Sequence, residues 1–381
     1  MMILTLALLG MVLGSFVSIS CKRSTEGNAL PSLVQLTVVD STLINESDFF
    51  MNGQFHVQLI GDSLIGVSSY KSPSVGFYHI SGKQRKRIAS GDYPIGSFLP
   101  SYFDAPEYPI VYILDKKSES ILVFNVEKQE FLEKIKLDLP EGKEIRILGS
   151  KFKKLKTGFL IELASSLHDN LHPDYYRESG ELIYLFGENG KVKENPFLEY
   201  PNEIKVIGGS LKAINYLSFT SDNQSLLFSF PHEKIIRRFD INTFGKALEE
   251  IPLPTSRYFD YQLTGSEGIV TFEDGLGGMA GAKKINIPTN HYFTNISETA
   301  TRIIIQTWLI GDESEGLNRT SHLMVYDKEE EKWSETSNPL NILDIGMLAG
   351  VANDTLYFYE GSLMKQDEKY IKRAVLKPIE E

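Results

Sequence analysis

Few residues in this chain could do chemistry, and they are scattered. His168, Asp169, His172 and Asp174 fall within one short stretch, and on a helix the two histidines would share a face at metal-ligand spacing. Pro173 biases His172 away from helical angles, and the stretch lies between two apolar runs, Phe159 to Leu163 and Leu182 to Phe186. It reads as a long loop between strands, a weak metal candidate and a surface open to a partner. Gly275 to Gly281 matches a dinucleotide-binding pattern superficially, but Lys283 to Pro288 after it reads as a strand rather than the helix that motif needs. No cofactor is expected. The connector Ser256 to Tyr261 holds Arg257, Tyr258 and Asp260, residue types that bury area at small entropic cost and orient a ligand by hydrogen bonds. Tyr93, in Gly91-Asp92-Tyr93-Pro94, and Arg146, downstream of Pro140, occupy comparable connectors. These five are the candidate ligand-binding residues, unless Tyr258 and Tyr261 simply pack between sheets. The chain holds no G-x-S-x-G, P-loop, H-E-x-x-H or EF-hand pattern, so no motif points to an enzyme, although a Ser–His–Asp set assembled from distant residues stays open.

Composition narrows the partners. Of 381 residues, 42% are hydrophobic and 23% charged, the balance of a folded globular protein. With 39 basic against 50 acidic residues the net charge is −11, which repels a phosphate backbone and makes nucleic acid an unlikely class of partner. The single cysteine, Cys21, excludes an internal disulfide, a multi-cysteine zinc site and an iron–sulfur cluster. Two basic runs, Lys83 to Arg87 and Lys151 to Lys156, read as solvated faces, or as contacts with anionic headgroups on an anchored protein.

The elements that must position these residues are strands. Leu33 to Val39, Ile110 to Leu114, Ile121 to Val126, Phe159 to Leu163, Leu226 to Phe230, Ile303 to Leu309 and Thr355 to Tyr359 are rich in β-branched and aromatic residues and bounded by turn formers. No window carries a capped helical stripe. The class is all-β. An apolar strand ending in an aromatic, then a polar turn and a polar strand, recurs around Tyr78, Phe124, Phe186, Phe239 and Tyr326, with a weaker copy from Ile371 to Leu376. Repeats of this size predict four-stranded meanders stacked around an axis. Pro94, Pro140, Pro196, Pro201, Pro252, Pro254 and Pro339 follow the marker strands, as expected of connectors between blades, because proline cannot donate to a ladder. Leu33 to Val39 has no neighbour in sequence to pair with and is expected to join the C-terminal blade and close the ring. Six blades over residues 31–381 are expected. The alternatives are seven, with the extra blade in the long gap around Lys284 to Ile287, or a pair of β-sandwiches.

Residues Ile3 to Val17 form the one long apolar run, and it ends in Ser18-Ile19-Ser20-Cys21. This resembles the lipobox of bacterial lipoproteins, which implies a signal peptide over 1–20, lipidation of Cys21, a membrane lipid anchor and a tether over 21–30. A single spanning helix is the alternative, for which the run is short. Lys22 after the cysteine favours, by analogy with lipoprotein sorting, the outer membrane of the cell envelope. Ile110 to Asp115, Phe124 to Val126 and Phe131 to Leu137, with the lipobox and tether, resemble uncharacterised bacterial lipoproteins with TolB-like six-bladed propellers. That resemblance implies a non-catalytic protein holding a protein, peptide or glycan partner. A metal-dependent hydrolase of the lactonase type, its metal on the axis, is the alternative.

Overall fold

The computed structural model describes residues 30–46, 54–147, 150–168, 172, 174–207, 211, 215–220, 224–241, 243, 245–265, 290–310, 319–361 and 368–379. The apolar run, Cys21, Asp169, the glycine-rich segment and Lys284 to Ile287 lie outside them.

The chain is all-β, built from meanders of antiparallel strands. After β1 (Ser32–Leu43), the first unit is β2 (Gln54–Ile60), β3 (Leu64–Ser69), β4 (Ser74–His79) and β5 (Gln84–Ala89), paired in that order. The second is β6 (Pro100–Glu107), β7 (Ile110–Asp115), β8 (Ser120–Asn125) and β9 (Glu130–Lys136). In the third, β11 (Phe152–Leu155), β12 (Gly158–Glu162) and β14 (Ile183–Phe186) form the sheet, with β10 (Lys143–Glu144) and β13 (Ala164–Ser165) as a short pair beside it. The fourth is β15 (Tyr216–Phe219), β16 (Ser225–Ser229), β17 (Ile235–Asp240) and β18 (Ala247–Pro252). The fifth is β19 (Tyr292–Glu298), β20 (Arg302–Ile310), β22 (Leu323–Asp327) and β23 (Lys332–Thr336), with β21 (Arg319–Ser321) and β24 (Leu340–Asn341) on its flank. The sixth is β25 (Met347–Ala352), β26 (Thr355–Glu360) and β27 (Tyr370–Pro378), and its fourth strand is β1. The expected pairing of Leu33 to Val39 with the C-terminus is present: β1 runs antiparallel to β27 from Val34↔Pro378 to Leu43↔Tyr370. It also runs parallel to β23 at Ser32↔Ser334 to Val34↔Thr336.

Sequence explains the order within a unit. Second and third strands such as β8, Ser-Ile-Leu-Val-Phe-Asn, are buried on both faces because neighbouring units cover them. Fourth strands such as β5, Gln-Arg-Lys-Arg-Ile-Ala, and β9, Glu-Phe-Leu-Glu-Lys-Ile-Lys, carry the charges that keep an edge from pairing with another chain. Lys83 to Arg87 thus begins at the turn before β5 and runs along an outer edge, as expected of a solvated run.

Among the described residues apolar burial is divided among six clusters, each shared by two consecutive units. Phe77 and Val75 meet Phe103, Ile113 and Phe124; Tyr112 and Leu114 meet Phe159 and Ile161; Leu160 and Ile183 meet Phe228 and Phe239. Leu227 and Ile236 meet Ile303 and Met324, and Ile304 and Val325 meet Leu356 and Phe358. The last cluster brings Tyr357 and Tyr359 of the sixth unit against Ile65, Val67 and Tyr78 of the first. Each sheet therefore buries both faces only because it has two neighbours.

Candidate functional site

The first strands of the six units converge on one cavity of about 240 Å³. β2 contributes His56 and Gln58, β6 Tyr102 and Asp104, and β15 Tyr216 and Ser218. Lys151 and Lys153 come from β11 and the residue before it, Asn295 and Ser297 from β19, and Met347 and Gly350 from β25. Four of these strands carry a β-bulge against their second strand, between Gln54 and His56, Pro100 and Tyr102, Phe293 and Asn295, and Leu348 and Gly350. The residue that follows each bulge is on the cavity wall. An extra residue in one strand re-aims the side chains after it, and here it turns them to a common axis. At Gly350 the backbone approaches β2 so closely that a Cβ would lie 2.8 Å from Leu59 Cβ.

Polar contacts tie these strands together in sequence around the wall. The His56 ring stacks on Tyr102, with centroids 3.5 Å apart. Asp104 binds Lys153 Nζ at 3.1 Å and accepts the Lys154 amide at 2.9 Å. Asn215 Nδ2 donates to Glu162 at 2.8 Å, Ser218 Oγ to the Ile296 carbonyl, and Asn295 Nδ2 to the Leu348 carbonyl. Glu298 is buried on the wall, and although burial opposes its charge, hydrogen bonds from Arg238 and Lys328 hold its carboxyl below the usual range. The two wall carboxylates, Asp104 and Glu298, are thus already engaged by cations. Lys151 Nζ lies 4.7 Å from the Tyr216 ring centroid and 5.5 Å from that of Tyr102, within cation–π range of both.

The basic run Lys151 to Lys156 is corrected by this arrangement. It does not lie on a solvated outer face: Lys153 is buried, Phe152 is in the core between the second and third units, and Lys151 and Lys153 line the axis. Strand alternation is the cause, since it puts Lys151 and Lys153 opposite Phe152. That alternation, Lys-Phe-Lys at the mouth of a strand, was the available signal for a site that the sequence reading did not single out.

The five candidate ligand residues are placed elsewhere, and none of them lines the axial cavity. Tyr93 is half-buried, its ring 4.9 Å from that of Phe124. Arg146 Nε binds Glu144 at 3.1 Å and its guanidinium lies 4.9 Å from the Tyr175 ring. Arg257 and Tyr258 belong together, in a cluster around Glu335. That carboxylate accepts from Arg257 Nη1 at 2.7 Å, from Ser256 Oγ at 2.7 Å and from the Arg257 amide at 3.2 Å. Arg257 also donates to the Pro31 carbonyl at 2.6 Å and the Tyr258 hydroxyl to that of Ser337. His322 Nε2 is 3.5 Å from Glu335, and its Nδ1 is bonded to Thr307 Oγ1 at 2.7 Å. Burial opposes the Glu335 charge, but hydrogen bonds from His322, Ser256 and Arg257 outweigh it and hold the carboxyl down at about 2. Ser256, His322 and Glu335 do not form a relay, because Ser256 donates to the carboxylate and both lie on the same ring nitrogen of His322. Asp260 is exposed, and its amide donates to His291 Nδ1 at 2.9 Å.

In the weak metal candidate, His168 is bonded to Glu178 at 2.8 Å, Asp174 pairs with Arg177 at 2.8 Å, and the His172 ring stacks on His168. Among the described residues no group of three or more His, Cys, Asp or Glu is arranged to hold a metal. No described helix is long and apolar enough to cross a membrane.

No family model and no curated protein matches this sequence. Solved structures do match in fold. A member of the DUF4221 family from Bacteroides vulgatus shares 11% identity at a TM-score of 0.62, covering 92% of this chain and all of that one (100%). A protein from Bacteroides fragilis described as exported shares 12% identity at a TM-score of 0.54, with 92% and 100% coverage. At these identities the likeness is one of fold, and this all-β chain has the fold of those two proteins.

Proposed function

We propose that this chain is a six-bladed propeller, closed by β1, that is exported, lipid-anchored through Cys21 in the cell envelope at the outer membrane, and binds a ligand in its axial cavity without transforming it. One observation carries the binding reading: first strands from all six units, four of them bulged, aim polar and aromatic side chains at a single concave site, the form small-ligand sites take. A cavity of about 240 Å³ suits one sugar ring or the end of a peptide, so the partner is a glycan or peptide presenting such a group. Export is supported by the apolar run before Cys21 and by the like fold of an exported Bacteroides protein.

The test is a panel of neutral and acidic monosaccharides and dipeptides, read as shifts of the unfolding midpoint. At least one member should raise the midpoint of the native chain and leave unmoved a Ser297→Trp variant, whose indole fills the cavity. A shift that survives Ser297→Trp, or none from any member, refutes axial binding. For anchoring, Cys21→Ser should release folded protein from membranes; a variant that still fractionates with membranes as full-length precursor favours a spanning helix.

A further inference from the structure

We infer that the axial cavity is an oxyanion site, in which Lys151 and His56 receive the acidic group of a small ligand such as a sugar acid. This rests on the axial-binding reading above and adds the charge of what is bound.

The wall is incompletely neutralised at one place. Lys153 has Asp104, and Arg238 and Lys328 share Glu298. Lys151, half-buried between the Tyr102 and Tyr216 rings, has no carboxylate within ion-pair distance among the described residues. Glu162 feels its charge, but that carboxyl is bonded to Asn215, and burial pushes it up, toward the neutral acid. A half-buried ammonium held only by ring faces leaves its donors free for an anion.

A second group on the same wall is also unsatisfied. His56 is 9% exposed, its ring is fixed by the stack on Tyr102, and its Nε2 has no hydrogen-bond partner. A buried polar atom without a partner costs about 1–3 kcal/mol; Nε2 is closed to solvent, so a ligand oxygen satisfies it with a small shift of the wall. Burial first, then Lys151 and Lys153, hold the imidazole well below its ordinary range, so it is neutral in the empty cavity. The titratable groups facing it are Tyr102 and Asp104 from β6, Lys153 from β11 and Lys151 just before it; the adjoining strands β3 and β25 carry none. An anion beside Nε2 opposes the lysine field and draws a proton onto His56. Binding therefore takes up a proton and tightens as pH falls, by up to about tenfold per pH unit.

The test uses the whole chain in detergent, with galacturonate, galactose and inorganic phosphate as probes, followed by titration calorimetry. Galacturonate should bind, galactose at least about tenfold more weakly, and Lys151→Met should weaken galacturonate by about tenfold or more while Lys151→Arg retains it. His56→Gln should flatten the pH dependence between roughly pH 7 and 5. Phosphate binding as tightly as galacturonate assigns the affinity to the oxyanion alone; galacturonate without phosphate assigns it to a sugar acid. Galactose binding as well as galacturonate, with Lys151→Met unchanged, overturns the inference and leaves axial binding standing. If both anions fail while a neutral member of the panel binds, the inference falls alone; if the whole panel fails, both fall.

Discussion

The Glu335 cluster and the axial wall are both buried, charged and assembled from distant strands, yet they end in opposite states. Glu335 is fully buried, and His322, Ser256 and Arg257 together saturate its oxygens, with Arg257 continuing to the Pro31 carbonyl. That arrangement fastens the connector after the fourth unit to the fifth and to the start of β1. On the axial wall Lys151 has only ring faces and His56 Nε2 has nothing. A saturated network has no donor to spare for a ligand, while an unsaturated one weakens the fold until something binds. In the proposed reading the first cluster is structural and the second is the one with donors to spare, although Arg257 and Tyr258 look the better binding residues by type and Arg257 also borders a separate cavity beside Pro31 and Trp333.

The comparison can be broken most forcefully at Glu335. Glu335→Ala leaves the buried His322 and the Arg257 guanidinium without their acceptor, and should cost about 3 kcal/mol or more in urea unfolding; a loss below about 1 kcal/mol would make the cluster incidental. The same group predicts acid behaviour. Its carboxyl sits at about 2 in the folded chain against 4.5 unfolded, so the stability it contributes is complete above pH 4.5 and is lost as pH falls toward 2. His56, held below 6.5 by burial and the two lysines, acts with the same sign in an earlier window, destabilising the fold as pH drops below 6.5. Stability followed from pH 7 downward should therefore fall in two stages, and His56→Gln should shrink the first, to which His232 and His291, also lowered by burial, contribute, and leave the second unchanged. Arg257→Met comes next, with about 1–2 kcal/mol lost, since the half-exposed guanidinium leaves Glu335 its Ser256 and His322 bonds. The smallest effect is expected on the axis: Lys151→Met should change stability by less than about 1 kcal/mol in either direction, because the lost ring contacts are offset by removal of an unpaired charge.

Much of the fold was legible because the third strand is buried on both faces over most of its length in the first three units. Tyr78, Phe124, Phe186, Phe239, Tyr326 and Ala374 all fall on the third strand of their units, β4, β8, β14, β17, β22 and β27. In β4, β8, β14 and β22 the apolar residues run almost without interruption, whereas Arg237 and Arg238 interrupt β17 and Lys372 and Arg373 interrupt β27. The first strands were not legible. Tyr216–Phe219 and Tyr292–Glu298 mix polar and apolar residues, and the bulges in β2, β6, β19 and β25 break the alternation that would mark a strand with one face toward a cavity. The candidate site consequently sits on the elements with the weakest pattern, while the connectors carry the residue types with the more suggestive chemistry.

The most direct test sets two variants side by side, Glu335→Gln and Lys151→Met, melting each with and without galacturonate. Glu335→Gln should unfold at a lower temperature yet keep the rise that galacturonate produces. Lys151→Met should unfold where the native chain does and lose that rise. A Lys151→Met protein that melts as early as Glu335→Gln would contradict the division between a structural cluster and a binding wall.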